Sequence, residues 1–485
     1  MGDDEFEGRW WRVGDVIARK LVLSGLTVDE NAVLNRNLAR LVDRRRGNFH
    51  RSSLYDGKNA MAGRSAVVPE QYYRLGIALG WSAKAVDGLC RRTQLERFVW
   101  AGGDLGSLGM AEVERENFLR SEITQALTDS ALHGISFLVT TQGLDGEPAA
   151  LVHARDALAA TGTWNPRVRR LDDALSVTRW AADDDRMPVE FVLYLDGLTI
   201  SAEQSGGGWT VDRSAHPWGV PVEPLVYKPR PSRRYGQSRL TGPIMGLHQM
   251  AVRELVRLEG HMDVYSYPEF WMLGGDMSAF RNADGSQKAV WQVMLGRIKG
   301  IEDNPDKPDA LARVDVKQFP AASPAPHGDA LDILSRAFAR EASLPDSAVA
   351  LRGTSNPTSA DAYDASQYEL IAEAEGAMSD WSPPLSRTVA RALAIRGGLD
   401  AVPDEWLSIE PGWLGAKFES RAAKADAGAK QLAAVPWLAE TEVGLELLGL
   451  SEQQVGRALA ERRRAAGRQV LAALAGSPDA QPVGA

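Results

Sequence analysis

From Leu240 onward, Leu240, Ile244, Leu247, Ala251, Leu255, Leu258 and Met262 step by 4, 3, 4, 4, 3 and 4. Only an α-helix places that spacing on one face, so a continuous helix is expected to end near Tyr267-Pro268. Residues 268–328 then carry turn signals at Gly274-Gly275, Ala283-Asp284-Gly285 and Asp303-Asn304-Pro305. Leu331, Leu334 and Phe338 mark a second, shorter helix coming back. A loop of mostly small residues follows from Asp346 to Asn356. Asn356-Pro357 then reads as an N-cap with proline at the first helical position. The next helix runs through Tyr363, Gln367, Leu370, Ala374 and Ala377 and is expected to resume after Pro383-Pro384. A helix out, a small insert and a helix back describe a two-helix stalk with a knob at its far end.

Upstream, Thr27 and Glu30 form a capping-box signal for a helix over residues 27–47, with Gly47 as the expected stop. A turn is expected at Tyr55-Asp56-Gly57-Lys58-Asn59, and helices over residues 69–90 and about 111–133, the latter with Phe118, Ile123, Leu127 and Leu132 on its face. Strands are expected over residues 135–141, 169–180, 189–195 and 198–203. Asp196-Gly197 supplies a hairpin turn, and Ser205-Gly206-Gly207-Gly208 a turn before Trp209. Residues 425–475 read as helical and the last ten as frayed. The fold class is α+β and helix-rich, with a body over residues 1–227.

Composition narrows the function. The chain has 485 residues, 44% of them hydrophobic and 25% charged, which is that of a globular chain of several units. The single cysteine, Cys90, excludes an intrachain disulfide and any multi-cysteine metal site. The start, Met1-Gly2-Asp3-Asp4-Glu5, lacks a signal-peptide layout, and no apolar run of about 18 residues spans a membrane. The net charge of −9 argues against a protein that grips DNA over its whole surface, though not against one that lets DNA slide past. The fourteen tryptophans are scattered, which suits separate packing sites or subunit contacts and not an aromatic box.

Catalytic motifs are missing. There is no P-loop, no H-E-x-x-H and no G-x-S-x-G, since Gly106-Ser107-Leu108-Gly109 lacks that spacing. The histidines, His50, His133, His153, His216, His248, His261 and His327, show no ligand spacing, and His248 and His261 would lie roughly 20 Å apart along one helix. Arg91 and Arg92 could activate Cys90, but an inert buried thiol is the plainer reading. Asp183-Asp184-Asp185 reads as a solvated turn in preference to a cation site. The connector Lys228-Pro229-Arg230-Pro231-Ser232-Arg233-Arg234-Tyr235-Gly236-Gln237-Ser238-Arg239 holds five basic residues and no acid. Lys228, Arg230, Arg233, Arg234 and Arg239 could meet phosphates or acidic faces of a neighbouring subunit, or form a solvated, proline-stiffened linker. Arg457, Arg462, Arg463, Arg464 and Arg468 read as a solvated helix face. No cofactor and no metal is expected.

Several stretches, in order, carry a resemblance: Leu54-Tyr55-Asp56-Gly57-Lys58, Gly80-Trp81-Ser82-Ala83-Lys84-Ala85-Val86-Asp87, His133-Gly134-Ile135-Ser136-Phe137, then Val222-Glu223-Pro224-Leu225-Val226 with Arg234-Tyr235-Gly236-Gln237-Ser238-Arg239, and Leu344-Pro345-Asp346-Ser347 with Asn356-Pro357-Thr358-Ser359-Ala360-Asp361-Ala362. Over residues from about 50 to 380 the chain resembles the portal proteins of tailed bacteriophages, in the branch common among phages of actinobacteria. The resemblance implies a wing (residues 1–227), a connector and first stem helix (228–267), a clip (268–328), a second stem helix (329–343) and a channel or tunnel loop (344–358). A long helix with wing completion (359–424) and a C-terminal crown and tail (425–485) would follow.

It further implies a dodecameric ring at one capsid vertex through which double-stranded DNA is packaged and ejected, with Arg352, Gly353, Thr354, Ser355 and Asn356 facing the DNA. The implied partners are terminase, the major capsid and scaffolding proteins and a head–tail adaptor, and the implied place is the virion, after assembly in the host cytoplasm. A portal of this kind is not an enzyme. Another ring-forming head–tail connector and a carboxylate-dependent hydrolase are the alternatives.

Overall fold

The computed structural model describes residues 20–58, 76–184, 186–265, 270–273, 281–282, 284–286, 315–318, 322–351, 365–417 and 420–475. The chain divides into two compact units, Met1–Leu414 and Gly415–Ala485.

The first unit opens with α1 (Val28–Tyr55). Its capping box forms as the sequence predicts: Thr27 N–H donates to Glu30 Oε2 at 2.7 Å, and Glu30 N–H to Thr27 Oγ1 at 3.3 Å. Gly47 does not stop it. A glycine ends a helix by adopting positive φ, and Gly47 is not among the positive-φ glycines whereas Gly57, at φ +66°, is. Asn48, just beyond, is buried and donates from Nδ2 to the Ala157 carbonyl at 3.1 Å, holding the extra turns in place.

Residues 76–80 are not helical, so α2 (Trp81–Cys90) is shorter than the sequence predicts. Strand β1 (Leu95–Trp100) leads to a helix broken in two, α3 (Met110–Glu116) and α4 (Leu119–His133). The break lies at Asn117-Phe118. Buried Asn117 donates to Ala150 O and accepts from Val152 N–H, while Phe118, expected on the apolar face, takes φ +49° and is 76% exposed. The strands β2 (Ile135–Gln142), β3 (Ala150–Arg155), β4 (Ala160–Asn165), β5 (Arg170–Trp180), β6 (Pro188–Leu195), β7 (Leu198–Ser205), β8 (Gly208–Ala215) and β9 (Val222–Val226) follow. They form a sheet ordered β3-β2-β9 and another ordered β4-β5-β6-β7-β8, antiparallel throughout. Both expected two-residue turns are present, with positive φ at Gly197, Gly206 and Gly207.

Helix α1 covers the five-stranded sheet, Leu34, Leu38 and Leu41 meeting Leu175, Phe191, Leu193 and Ile200. The chain continues through α5 (Gly242–Tyr265), the pair β10 (Phe270–Leu273) and β11 (Asp315–Gln318), α6 (Ala325–Glu341), the single turn α7 (Asp346–Val349) and α8 (Tyr368–Arg396). Helix α8 and α4 pack on the three-stranded sheet, and β12 (Ile409–Trp413) pairs with β1. Pro383 and Pro384 lie inside α8 and do not interrupt it as the sequence predicts. Their missing N–H groups leave the carbonyls of Ser379 and Asp380 unpaired in the helix, and these two residues are exposed. Buried Trp381, Leu385, Val389 and Leu393 hold the helix on the sheet.

The second unit is helical among its described residues: α9 (Arg421–Ala434), α10 (Glu442–Leu447) and α11 (Glu452–Ala475). This matches the reading of residues 425–475; the last ten residues lie outside the described part. No helix among the described residues is long and apolar enough to cross a membrane.

Candidate functional site

The out-and-back helices are α5 and α6, which pack side by side. The predicted stripe is used only at its start. Leu240, Ile244 and Ala251 are buried, but Leu247, Leu255 and Leu258 are half-buried and Met262 is exposed. The buried seam is completed instead by His248, Val252 and Val256. On α6, Leu331, Ser335 and Phe338 face inward, Phe338 meeting the Trp81 ring with centroids 5.2 Å apart. Exposed Met250 and Ile333 leave apolar surface on the outside of the pair. His327 links the helices, with Nδ1 2.7 Å from Glu254 Oε1 and Nε2 3.3 Å from His261 Nδ1.

The basic connector folds back tightly on the body. Gln237 N–H donates to Tyr227 O at 2.9 Å and Arg239 N–H to Ala131 O at 2.8 Å. A side chain at Gly236, φ +69°, would collide with the carbonyls of Gly134 and Tyr227, so glycine is required there. The structure separates the five basic residues. Lys228, Arg230, Arg233 and Arg234 are exposed, whereas Arg239 is buried. Arg239 pairs with Glu373, donates from Nε to Ala85 O, from Nη2 to Ala342 O at 2.6 Å and from Nη1 to the Tyr227 hydroxyl at 3.3 Å. One guanidinium thereby ties α2, the end of α6, α8 and the end of β9 together. With its donors engaged inside the chain, Arg239 is not placed to meet a phosphate or a neighbour. Burial pushes the Glu373 carboxyl up, but Arg239, Lys228 and Tyr227 together hold it below the usual range. A similar tie joins Glu223 of β9 to Arg387 and Arg391 of α8, at 2.8 and 2.6 Å.

The exposed part of the connector forms one wall of a cleft of about 930 Å³ whose other wall is α1. Arg44 and Arg51 from α1 and Arg233 and Arg234 from the connector line it, with Asp43 as the carboxylate. Tyr235 sits at its edge, with the Arg44 guanidinium 4.4 Å from the ring centroid and its hydroxyl donating to Gly162 O at 2.7 Å. Burial, and then the charge of Arg233, lower the pKa of Arg51. Burial, and then Arg51, hold the His133 imidazole down at about 3, so it is neutral. Arg44 and Arg51 were missed as site residues because the run Arg44-Arg45-Arg46 reads as ordinary helix surface. Their nearness to Arg233 is a tertiary fact that no spacing encodes.

The expected channel loop lies outside the described residues from Arg352 to Asn356. Its leading edge is visible and is anchored: Leu344 and Val349 are buried, and Lys84 of α2 donates to Ala348 O at 2.7 Å. Leu351 is 47% exposed. Burial pushes the Cys90 thiol up to about 12, which suits the inert reading. Asp184 is bonded by Arg186 across its own turn at 2.9 Å. The C-terminal arginines lie exposed along α11, Arg462 pairing with Glu440 at 3.1 Å. Among the described residues no group of His, Cys, Asp or Glu is arranged to hold a metal ion.

The family model described as "Phage portal protein, SPP1 Gp6-like" matches residues 42–467. The portal protein of Mycobacterium phage L5 is 25% identical over 389 residues, covering 78% of this chain and 77% of its own. That of Mycobacterium phage D29 is 24% identical over 388 residues, with the same shares. Among solved structures, a chain from the neck of an empty gene transfer agent particle is 16% identical, with 81% of this chain and 98% of that one covered, at a TM-score of 0.43. A chain from the native gene transfer agent virion is also 16% identical, covering 82% and 99%, at 0.40. The assignment rests on the family match, which takes in the connector, both out-and-back helices and α8, and agrees with the motifs read from the residues. The chain belongs to the phage portal protein family, of the SPP1 Gp6-like type.

Proposed function

We propose that this portal protein forms a closed ring, a dodecamer, at one vertex of a virion capsid, and that double-stranded DNA enters and leaves through its hole. The observation that carries the reading is the pairing of α5 with α6 around residues 266–324, inside a family match that spans both helices. In this reading residues 1–227 with 359–424 are the wing, 228–267 the connector and first stem helix, 268–328 the clip, 329–343 the second stem helix, 344–358 the channel loop and 425–485 the crown and tail. A ring needs a head-to-tail interface whose rotation closes, and exposed Met250 and Ile333 offer apolar surface for a neighbouring stem.

The role is structural. The energy for packaging comes from a separate terminase docking on the clip, while capsid, scaffolding and head–tail adaptor proteins meet other faces, assembly taking place in the host cytoplasm. Arg352, Gly353, Thr354, Ser355 and Asn356 line the passage with one cation per subunit. Few phosphate contacts mean little counterion release and a loose, sequence-independent grip that lets a duplex slide. Arg230 faces a neighbour's acidic surface. A cryo-electron microscopy reconstruction of the assembled ring tests the loop assignment. Residues 352–356 on the wall of the hole are expected, and their placement on the outer surface would overturn it.

A further inference from the structure

We propose that the cleft between α1 and the connector is a binding site for an acidic peptide segment of another polypeptide. The proposal does not depend on ring formation. Four arginines, Arg44, Arg51, Arg233 and Arg234, line the cleft with one carboxylate, Asp43. None of the four forms an ion pair among the described residues. Like charges gathered in a partly buried space repel one another until an anion joins them. Two buried polar atoms on the lining residues, Arg51 Nε and His133 Nδ1, have no hydrogen-bond partner.

The lining also says what kind of anion fits. Leu41, Ile135, Phe137 and Leu240 line the cleft but are buried, so its accessible lining is set by the arginines and their polar neighbours. A cavity of about 930 Å³ admits a short stretch of chain and not a duplex. A single nucleic-acid strand would seek an aromatic face for its bases. The Tyr235 ring at the edge is already covered by Arg44, with Arg40 5.4 Å from the centroid, and Phe137 is buried. Guanidiniums along such a cleft match the carboxylates of an acidic stretch of chain.

The test is fluorescence anisotropy with the full chain and a labelled synthetic peptide Gly-Asp-Asp-Glu-Phe-Glu-Gly, which repeats residues 2–8 of this chain and is acidic. Binding that weakens with salt, and at least tenfold in the Arg233→Glu/Arg234→Glu double variant, is the expected result. Arg233 and Arg234 are exposed, so that variant retains the fold. Arg463→Glu/Arg464→Glu, the same charge change on exposed α11, is expected to leave binding unchanged. No binding, equal loss in both double variants, or binding of a single-stranded oligothymidylate in place of the peptide with the same arginine dependence would each overturn the proposal.

Discussion

At Arg239 a charge expected on a linker is instead the tie of four elements. Breaking a buried pair leaves the partner charge uncompensated and costs about 3–5 kcal/mol. Arg239→Ala is therefore expected to lower the thermal midpoint sharply, and Glu373→Gln less so because it leaves a hydrogen-bonding group in place. Lys228→Ala, which removes an exposed partner of the same carboxylate, should cost about 1 kcal/mol or less. Scanning calorimetry of the three variants checks the order, and an Arg239→Ala midpoint no lower than that of Lys228→Ala would refute it. Asp129 gives a pH-dependent counterpart. Burial, and then Asp156, push its carboxyl up to about 7 from an ordinary 3.8. As pH rises through that interval the unfolded chain releases this proton while the folded chain keeps it, so stability falls across the window and stays reduced above it. Asp129→Asn should then be more stable than the parent above pH 7, by on the order of 2 kcal/mol, with the gain vanishing towards pH 4. A gain independent of pH would contradict this.

Local signals were legible in the sequence where the physics is local. Thr27 with Glu30, Asp196-Gly197 and Gly206-Gly207 each fix their own few residues, and each is found as read. Element ends were legible less often, because packing decides them. Gly47 fails to end α1 since Asn48 and Leu54 are buried beyond it, and Pro383-Pro384 fail to interrupt α8 since Trp381 and Leu385 are buried on either side. The stripe on α5 gave the helix correctly but placed its buried face about a residue off over its C-terminal half. His248, read as polar, belongs to the seam because it meets Ser82 Oγ at 3.0 Å. The cleft was not legible, since it needs α1 and the connector side by side. A substitution tests the extended α1: a methyl group at Gly47 would meet only Arg51 Nη1 at 3.6 Å, an ordinary contact. Gly47→Ala should raise stability by about 0.5–1 kcal/mol in denaturant titration, and a loss of stability would mean that the helix does not run through this position.

For the whole molecule, the element order carries the most weight. A body of two antiparallel sheets, a helix leaving it, a small strand pair and a helix returning are laid out along residues that the portal family model matches almost from end to end. Exposed Met250 and Ile333 leave apolar surface on the α5–α6 pair. Negative-stain electron microscopy of the purified chain, with native mass measured on the same sample, is the most direct test. At 52.7 kDa per subunit, rings with a central hole and a mass of many subunits are predicted. A uniform monomer or dimer that forms no ring even at high concentration, alone or with scaffolding protein, would contradict the account.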